Sequence, residues 1–287
     1  MSESFGIATS SMLVELSISC WTARKLDKKV SAEIDETKNT KVRGGNYHKQ
    51  LLAGCPALDA VTRYAANVRL WHTKHTLPWS DHGPRLLTTD HFMDYKAELG
   101  QHESNFNKLV ENFIQVYPTM ISASAFQLGE LFNRDEYPEA EGIAKKFSFG
   151  YSFSPVPTAG DFRIDIAEQA KAELVQQYEA AFKQRMDSAM RDVWSRLHEC
   201  LSHMSDRLSD DDDGNRKLFH STMITNAAEL IGVLGQLNIT RDPKLEQARR
   251  ELSDVLLNTD VSVIKESDHV RQSVKVKVDS IISKFDW

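Results

Sequence analysis

Forty-two residues, Ala167 to Leu208, run without a proline or a glycine. Through them Leu174, Tyr178, Phe182, Met186, Met190, Val193, Leu197, Leu201 and Met204 recur every three or four positions, the period of a helix with one apolar face. At 1.5 Å per residue such a helix is about 60 Å long. A compact globule of this chain length has a radius of gyration of only about 19 Å, so the helix spans or overshoots the body. Its distal stripe must therefore find cover, from later helices of the same chain or from a second copy. Self-association through Leu197 and Leu201 is the expectation, because such stripes rarely stay bare on monomers.

One stretch breaks the helical pattern. In "FSFGYSFSPVPTAGDFRIDI", Phe147 to Ile166, aromatics fall at every second position, a Pro/Gly turn follows, and Phe162, Ile164 and Ile166 alternate again. The spacing predicts a hairpin with Phe147, Phe149, Tyr151 and Phe153 on one face and serines and a glycine on the other. The serine/glycine face cannot make a core, so the aromatic face is expected to be a lid on the protein's own interior. The competing reading is a platform that stacks unpaired bases. An isolated hairpin is marginal in water, and the alternating run Val14, Leu16, Ile18, Cys20 offers a third strand.

The remaining chain reads mainly as helix. Residues 22–49 read as a mobile polar loop with one helical turn, Pro56 opens a helix, and "LPWSDHGPRLLTTD" (77–90) reads as a loop. Helices then cover 90–117, ended by Pro118, and 119–132 and 139–146. Residues 218–237 and 243–257 make a helical pair, and 261–285 fits helix better than strand. The fold expected is α+β, mainly helical, with a small antiparallel sheet of about three strands and one very long helix. Its parts are a disordered N-terminus (1–10), a helical α+β core (11–209) holding hairpin 147–166 and helix 167–208, and a C-terminal helical segment (215–287) packing on or extending that core.

The net charge of −6 argues against a protein that coats duplex DNA by bulk charge. Residues 21–63 nevertheless hold nine basic and five acidic residues, a local balance of +4. Arg24, Lys25, Lys28, Lys29, Lys41 and Arg43, with Lys145, Lys146 and Arg163 beside the hairpin, are the candidate contacts to single-stranded DNA. Trp79, in a proline-stiffened connector, and the terminal Trp287 join Leu197 and Leu201 as candidate partner contacts.

Positive signs of catalysis are missing from the spelling. No Walker loop, dinucleotide fingerprint, serine-hydrolase elbow or Cys-x-x-Cys pair occurs. His72 and His75, with Asp81 and His82 beyond, have a metal-like spacing, as do Cys200 and His203 with His198, but neither set supplies converging ligands by pattern alone. Neither a metal nor a cofactor is expected. Cys20, Cys55 and Cys200 read as reduced thiols, and no signal peptide or apolar span appears, so a cytoplasmic protein without membrane contact is expected.

Four stretches carry a resemblance: "LVELSISCWTARKLD" (13–27), "VENFIQVYP" (110–118), "KKFSFGYSF" (145–153) and "FRIDIAEQAKAEL" (162–174). They resemble the domain-of-unknown-function 3150 family of phage and bacterial proteins, over most of residues 11–210. The resemblance implies a phage or mobile-element setting, host cytoplasm if phage-encoded, and work beside an AAA+ ATPase or a von Willebrand A-domain protein. It carries over no catalytic residue. Two readings of function stand: a non-enzymatic interaction or self-assembling adaptor protein, and a single-stranded nucleic-acid-binding or annealing protein that uses the basic 21–63 segment and the hairpin aromatics.

Overall fold

A computed structural model describes residues 9–80, 83–157, 168–211, 213, 215–257, 261–285 and 287. In chain order the elements are β1 (Ser11–Ser19), β2 (Arg24–Leu26), α1 (Lys28–Thr37), β3 (His48–Gln50), α2 (Pro56–His75), β4 (Leu77–Pro78), β5 (Arg85–Thr88), α3 (Phe92–Leu128), α4 (Ala140–Ala144), β6 (Ser148–Pro155), α5 (Glu168–Leu208), α6 (Ser221–Leu237), α7 (Pro243–Leu257), α8 (Val261–Glu266) and α9 (Asp268–Lys284). The fold is α+β and mainly helical, as the sequence predicts. Residues 1–8 of the N-terminus expected to be disordered (1–10) and the second run of the hairpin, with Arg163, lie outside the described residues, whereas Thr9 and Ser10 are described and helical.

The main sheet has four strands in the order β4-β5-β1-β6. β5 lies antiparallel to β1, Ser11 opposite Thr88 and Val14 opposite Arg85, and antiparallel to β4, Leu77 opposite Leu86. Segment 77–90, expected as a loop, thus supplies two strands. Their signal is short, and Pro78 disguises it. Proline is tolerated there because β4 is the edge strand, where a missing ladder donor costs nothing. Leu77, Leu86 and Leu87 are buried and fix the pairing.

β6 is the first arm of the expected hairpin. Its serines and Gly150 are exposed, Phe147 is buried, and Phe149, Tyr151 and Phe153 are half-buried. Phe147 packs on Phe113 at 5.5 Å between ring centroids, and Phe149 on Phe106 at 5.6 Å. Phe153 meets Phe92 edge-on at 5.1 Å. The aromatic face is a core face, and those rings do not form an open platform for bases.

The chain divides into two units: Met1–Glu15, His72–Tyr95 and Ser152–Trp287, and Leu16–Trp71 with Lys96–Tyr151. The first we call the bundle unit and the second the flap unit. The boundaries fall within β1, α2, α3 and β6 rather than in linkers.

In the bundle unit, 41-residue α5 packs on α6 and α9, and α7 packs on both of these. Phe182, Met186, Ala189, Val193, Leu197, Leu201, Met204 and Leu208 are buried along one stripe. The cover expected from a second copy comes instead from this chain's own α6, α7 and α9. Leu197 and Leu201 are fully buried and cannot serve as partner contacts in the folded chain. Val274, Val278 and Ile281 are buried on α9, and Phe285 just after it, while Val276 is exposed, so the segment's period is helical and its strand-like alternation is incidental.

The end of α5 is closed by Arg271, 5 % exposed, whose guanidinium donates to the carbonyls of Leu208 (3.0 Å), Arg207 (2.6 Å) and Lys217 (2.8 Å). The carbonyls of Arg207 and Leu208 are groups that a helix C-terminus otherwise leaves without partners, and Lys217 belongs to the segment leading to α6. The other end of the unit uses the same device. Arg196 donates to the carbonyls of Thr73, Lys74 and Thr76 at the end of α2, and Arg85 to the hydroxyl and carbonyl of Thr76.

In the flap unit, Phe106, Phe113 and Tyr117 on one face of α3 bury against Leu51, Leu52, Val61, Ala65, Ile143 and Phe147. Helix α3 continues through Pro118, where the sequence predicts a break. An interior proline costs about 3 kcal/mol. Pro118 stands on the exposed side, while Tyr117 before it and Met120 and Ile121 after it pack on the same cluster. Tertiary burial on both sides of the proline holds the helix together.

Candidate anion-binding face

Residues 24–50 form a small flap in the second unit where the sequence predicts a mobile loop. β2 and β3 pair antiparallel, Arg24 opposite Gln50 and Leu26 opposite His48, with α1 between them. Asp27 caps α1, its carboxylate accepting from the N–H groups of Lys29 and Val30, each at 3.1 Å. Ser31 ties the cap to the returning chain, donating to the Asp27 carbonyl and accepting from the Tyr47 N–H.

One buried cation anchors this flap. Lys49 on β3 is 5 % exposed. Its ammonium lies 2.7 Å from Glu136 and 3.2 Å from Asp27, and donates to the Leu131 carbonyl at 2.8 Å. Its three N–H donors thus face three acceptors. Burial works against the charged ammonium, but the hydrogen bonds and charges of Glu136 and Asp27 outweigh it and hold the Lys49 pKa above the ordinary lysine value. The Val30 N–H, then Lys49, hold the Asp27 carboxyl below its usual range against a smaller opposing effect of burial. Sequence reasoning counts Lys49 only as one more surface base. Nothing in "NYHKQLL" marks it, because its partners come from about 20 and 90 residues away, as hydrogen bonding that only the tertiary fold creates.

The anchor leaves the other bases of the flap outward. Arg24, Lys25, Lys28, Lys29, Lys38, Lys41 and Arg43 are all exposed. Lys29 makes a 4.0 Å pair with Glu33, itself exposed and worth little. The other six form no ion pair with a described residue. Lys28, Lys41 and Arg43 converge on a groove of about 340 Å³ between α1 and the loop that follows it, with Asp35, Thr40 and Val42 also on its walls. Asn39, at φ 50°, turns the chain back to make that loop. Asp35 is taken up by the loop, accepting from the Gly44 N–H at 3.0 Å. A Cβ on Gly44 would stand 3.3 Å from that carboxylate oxygen, so the close approach favours glycine. Val42 is 77 % exposed, an apolar side chain between two cations.

The other predicted residues are placed elsewhere. Lys145 and Lys146 are exposed between α4 and β6 and line no part of the groove. Trp79 is buried against Phe182, with the Arg185 guanidinium 5.3 Å over its ring, and is an internal anchor rather than a partner contact. Trp287 is 39 % exposed, meets Trp194 edge-on and lies tilted against His198, its indole N–H donating to the Ile282 carbonyl.

The histidine sets are likewise engaged within the fold. His72 is buried and shares a 2.6 Å hydrogen bond with the Tyr95 hydroxyl. Burial, then the charges of Arg85 and His75, push its pKa down to about 4. Its neighbours Asp81 and His82 lie outside the described residues. Burial pushes the Cys200 thiol up to about 11, and His198 bonds Ser202 on its own helix. Among the described residues, no three His, Cys, Asp or Glu side chains converge as a metal site would require. No helix among the described residues is long and apolar enough to cross a membrane.

No family model matches the chain, and no curated protein and no solved structure matches it.

Proposed function

We propose that the chain is a non-enzymatic binding protein of the cytoplasm that holds nucleic acid by its phosphates, with the basic flap as its working surface. The observation that supports this reading is the set of six exposed cations that form no ion pair with a described residue, on a segment of 27 residues in a protein of net charge −6. Surface bases on an acidic protein ordinarily find carboxylates, and here Asp27 is engaged by Lys49 and the α1 cap, Asp35 by the Gly44 N–H and Glu33 by Lys29. With the hairpin rings turned into the core, contact falls to charge. Binding is then tolerant of sequence and steeply dependent on salt.

The test is an electrophoretic shift with mixed-sequence DNA at about 50 and 200 mM salt. The native protein should shift the DNA at the lower salt and largely release it at the higher. Arg24→Glu combined with Lys25→Glu should abolish the shift without changing the circular dichroism spectrum. No shift at the lower salt refutes the reading.

A second reading has one observation in its favour. Phe126 on α3 is 91 % exposed, with half-buried Phe132 following it in the chain. That suits an adaptor docking a protein partner, of the AAA+ ATPase or von Willebrand A-domain type if the family resemblance holds, in a phage or mobile-element setting. Phe126→Asp should then abolish partner binding and leave the DNA shift unchanged.

A further inference from the structure

The groove between α1 and its following loop adds a geometric fact that the exposed charges alone do not. Three of the flap's cations, Lys28, Lys41 and Arg43, come from two different segments and meet in one concavity. Its volume of about 340 Å³ is at the lower end of the roughly 300–1,000 Å³ that pockets for small ligands occupy. Its single carboxylate, Asp35, is already hydrogen-bonded by the Gly44 N–H, so the walls carry a net positive charge. Val42, exposed between Lys41 and Arg43, supplies the larger apolar side chain, with Ala32 beside it on the lining.

We propose that this groove is a seat for one strand of nucleic acid, taking a phosphate between Lys28, Lys41 and Arg43 and laying the attached sugar or base against Val42. The inference rests on the reading of the flap as a nucleic-acid face, and it adds strand selectivity to that reading. A duplex holds its bases paired and its backbone stiff, so a groove of this size meets it only at its rim. An unpaired strand can turn a nucleotide into the groove, the means by which charged grooves track single strands. Arg24 and Lys25 lie on β2 and do not line the groove, so they attract either form alike.

Fluorescence anisotropy distinguishes the two layers, using oligothymidylate of about 16 nucleotides and a mixed-sequence duplex of the same length. The native protein should bind the single strand at least about tenfold tighter than the duplex, a gap of about 1.4 kcal/mol. Lys41→Ala with Arg43→Ala should erase that preference and flatten the salt dependence of single-strand binding by about 0.7 in log–log slope, the loss of one phosphate contact. Lys28→Ala should do the same in smaller measure, and Val42→Ser should weaken the single strand alone. Arg24→Ala with Lys25→Ala should lower both forms by the same factor. Equal binding of strand and duplex, reduced equally by the groove variants, overturns the groove inference while the nucleic-acid reading stands. Failure of the native protein to bind either form overturns both. All variants change exposed side chains, and an unchanged melting temperature identifies a loss as one of binding.

Discussion

Among the described residues each unit buries one long cation, and the two solve opposite problems. Arg271 in the bundle unit donates to backbone carbonyls, two at the end of α5 and one, of Lys217, in the segment before α6. Lys49 in the flap unit faces two carboxylates and one carbonyl. The planar, five-donor guanidinium suits a fan of neutral acceptors, and the compact ammonium suits a small cage of charge. Arg271 stops a helix that apolar packing already holds along its length. Lys49 holds a flap that has almost no apolar packing of its own. The first is a refinement of a stable region, and the second is the condition for a region to be ordered.

The largest effect expected is in the bundle unit. Leu201→Asp places a charge without a partner at a fully buried position and should unfold that unit, whereas Leu201→Ala should cost about 2–5 kcal/mol. Chemical denaturation measures both. Light scattering should show the native protein and Leu201→Ala at the same mass; a lower mass for the variant would mean that the residue joins copies after all.

Next in size comes Arg271→Leu. It should cost about 3 kcal/mol by leaving the carbonyls of Arg207, Leu208 and Lys217 without their charged donor. Hydrogen exchange should rise across the last turn of α5 and leave the flap unchanged. An effect on the flap would remove the separation drawn between the two cations.

Lys49→Met should cost less globally, about 2 kcal/mol, since Asp27 and Glu136 keep partial access to water. Its local effect should be larger, with amide exchange throughout 24–50 rising toward the unprotected rate. Adding Asp27→Asn and Glu136→Gln should restore part of the loss, because the uncompensated charges are then gone. If the triple variant is no more stable than Lys49→Met, charge is not what anchors the flap.

Acidity gives the smallest and most selective separation. Asp27 has a folded pKa below its unfolded value, so its contribution is complete above the ordinary carboxylate range and is lost as pH falls through the folded value. The flap amides should therefore lose protection on acidification before those of α5 around Leu197 and Leu201, which are held by apolar packing that does not titrate. Simultaneous loss in both regions contradicts this.

The same contrast explains what could be read from the letters. Helix α5 was legible because nine apolar residues repeat at one period, and burial follows period. The aromatic face of β6 was legible for the same reason. The flap was not: β2, α1 and β3 are polar, short and of mixed charge, and they are ordered by Lys49, whose partners are remote in sequence. Pro118 and Pro78 misled for the converse reason, since each sits where packing or an edge position removes its usual penalty. The candidate residues of the groove could be picked as basic but not as convergent. The fate of Leu197 and Leu201 depended on cover from α6, α7 and α9, which no local pattern assigns.

The arginine caps on α2 have a consequence for the order in which the chain becomes structured during synthesis. Arg85 follows Thr76 by nine residues, whereas Arg196 follows it by 120. At roughly 5–20 residues per second a ribosome needs about 6–24 s to make that interval. The flap unit is fully synthesised by Tyr151, before most of α5 exists. Nascent chains arrested near residue 190 should therefore protect 96–151 from protease while 72–95 remains cleavable, and protection of 72–95 should begin only once Arg196 has left the exit tunnel. Arg85 would serve as the interim cap, keeping the end of α2 from fraying while the helix that completes its coordination is still being made.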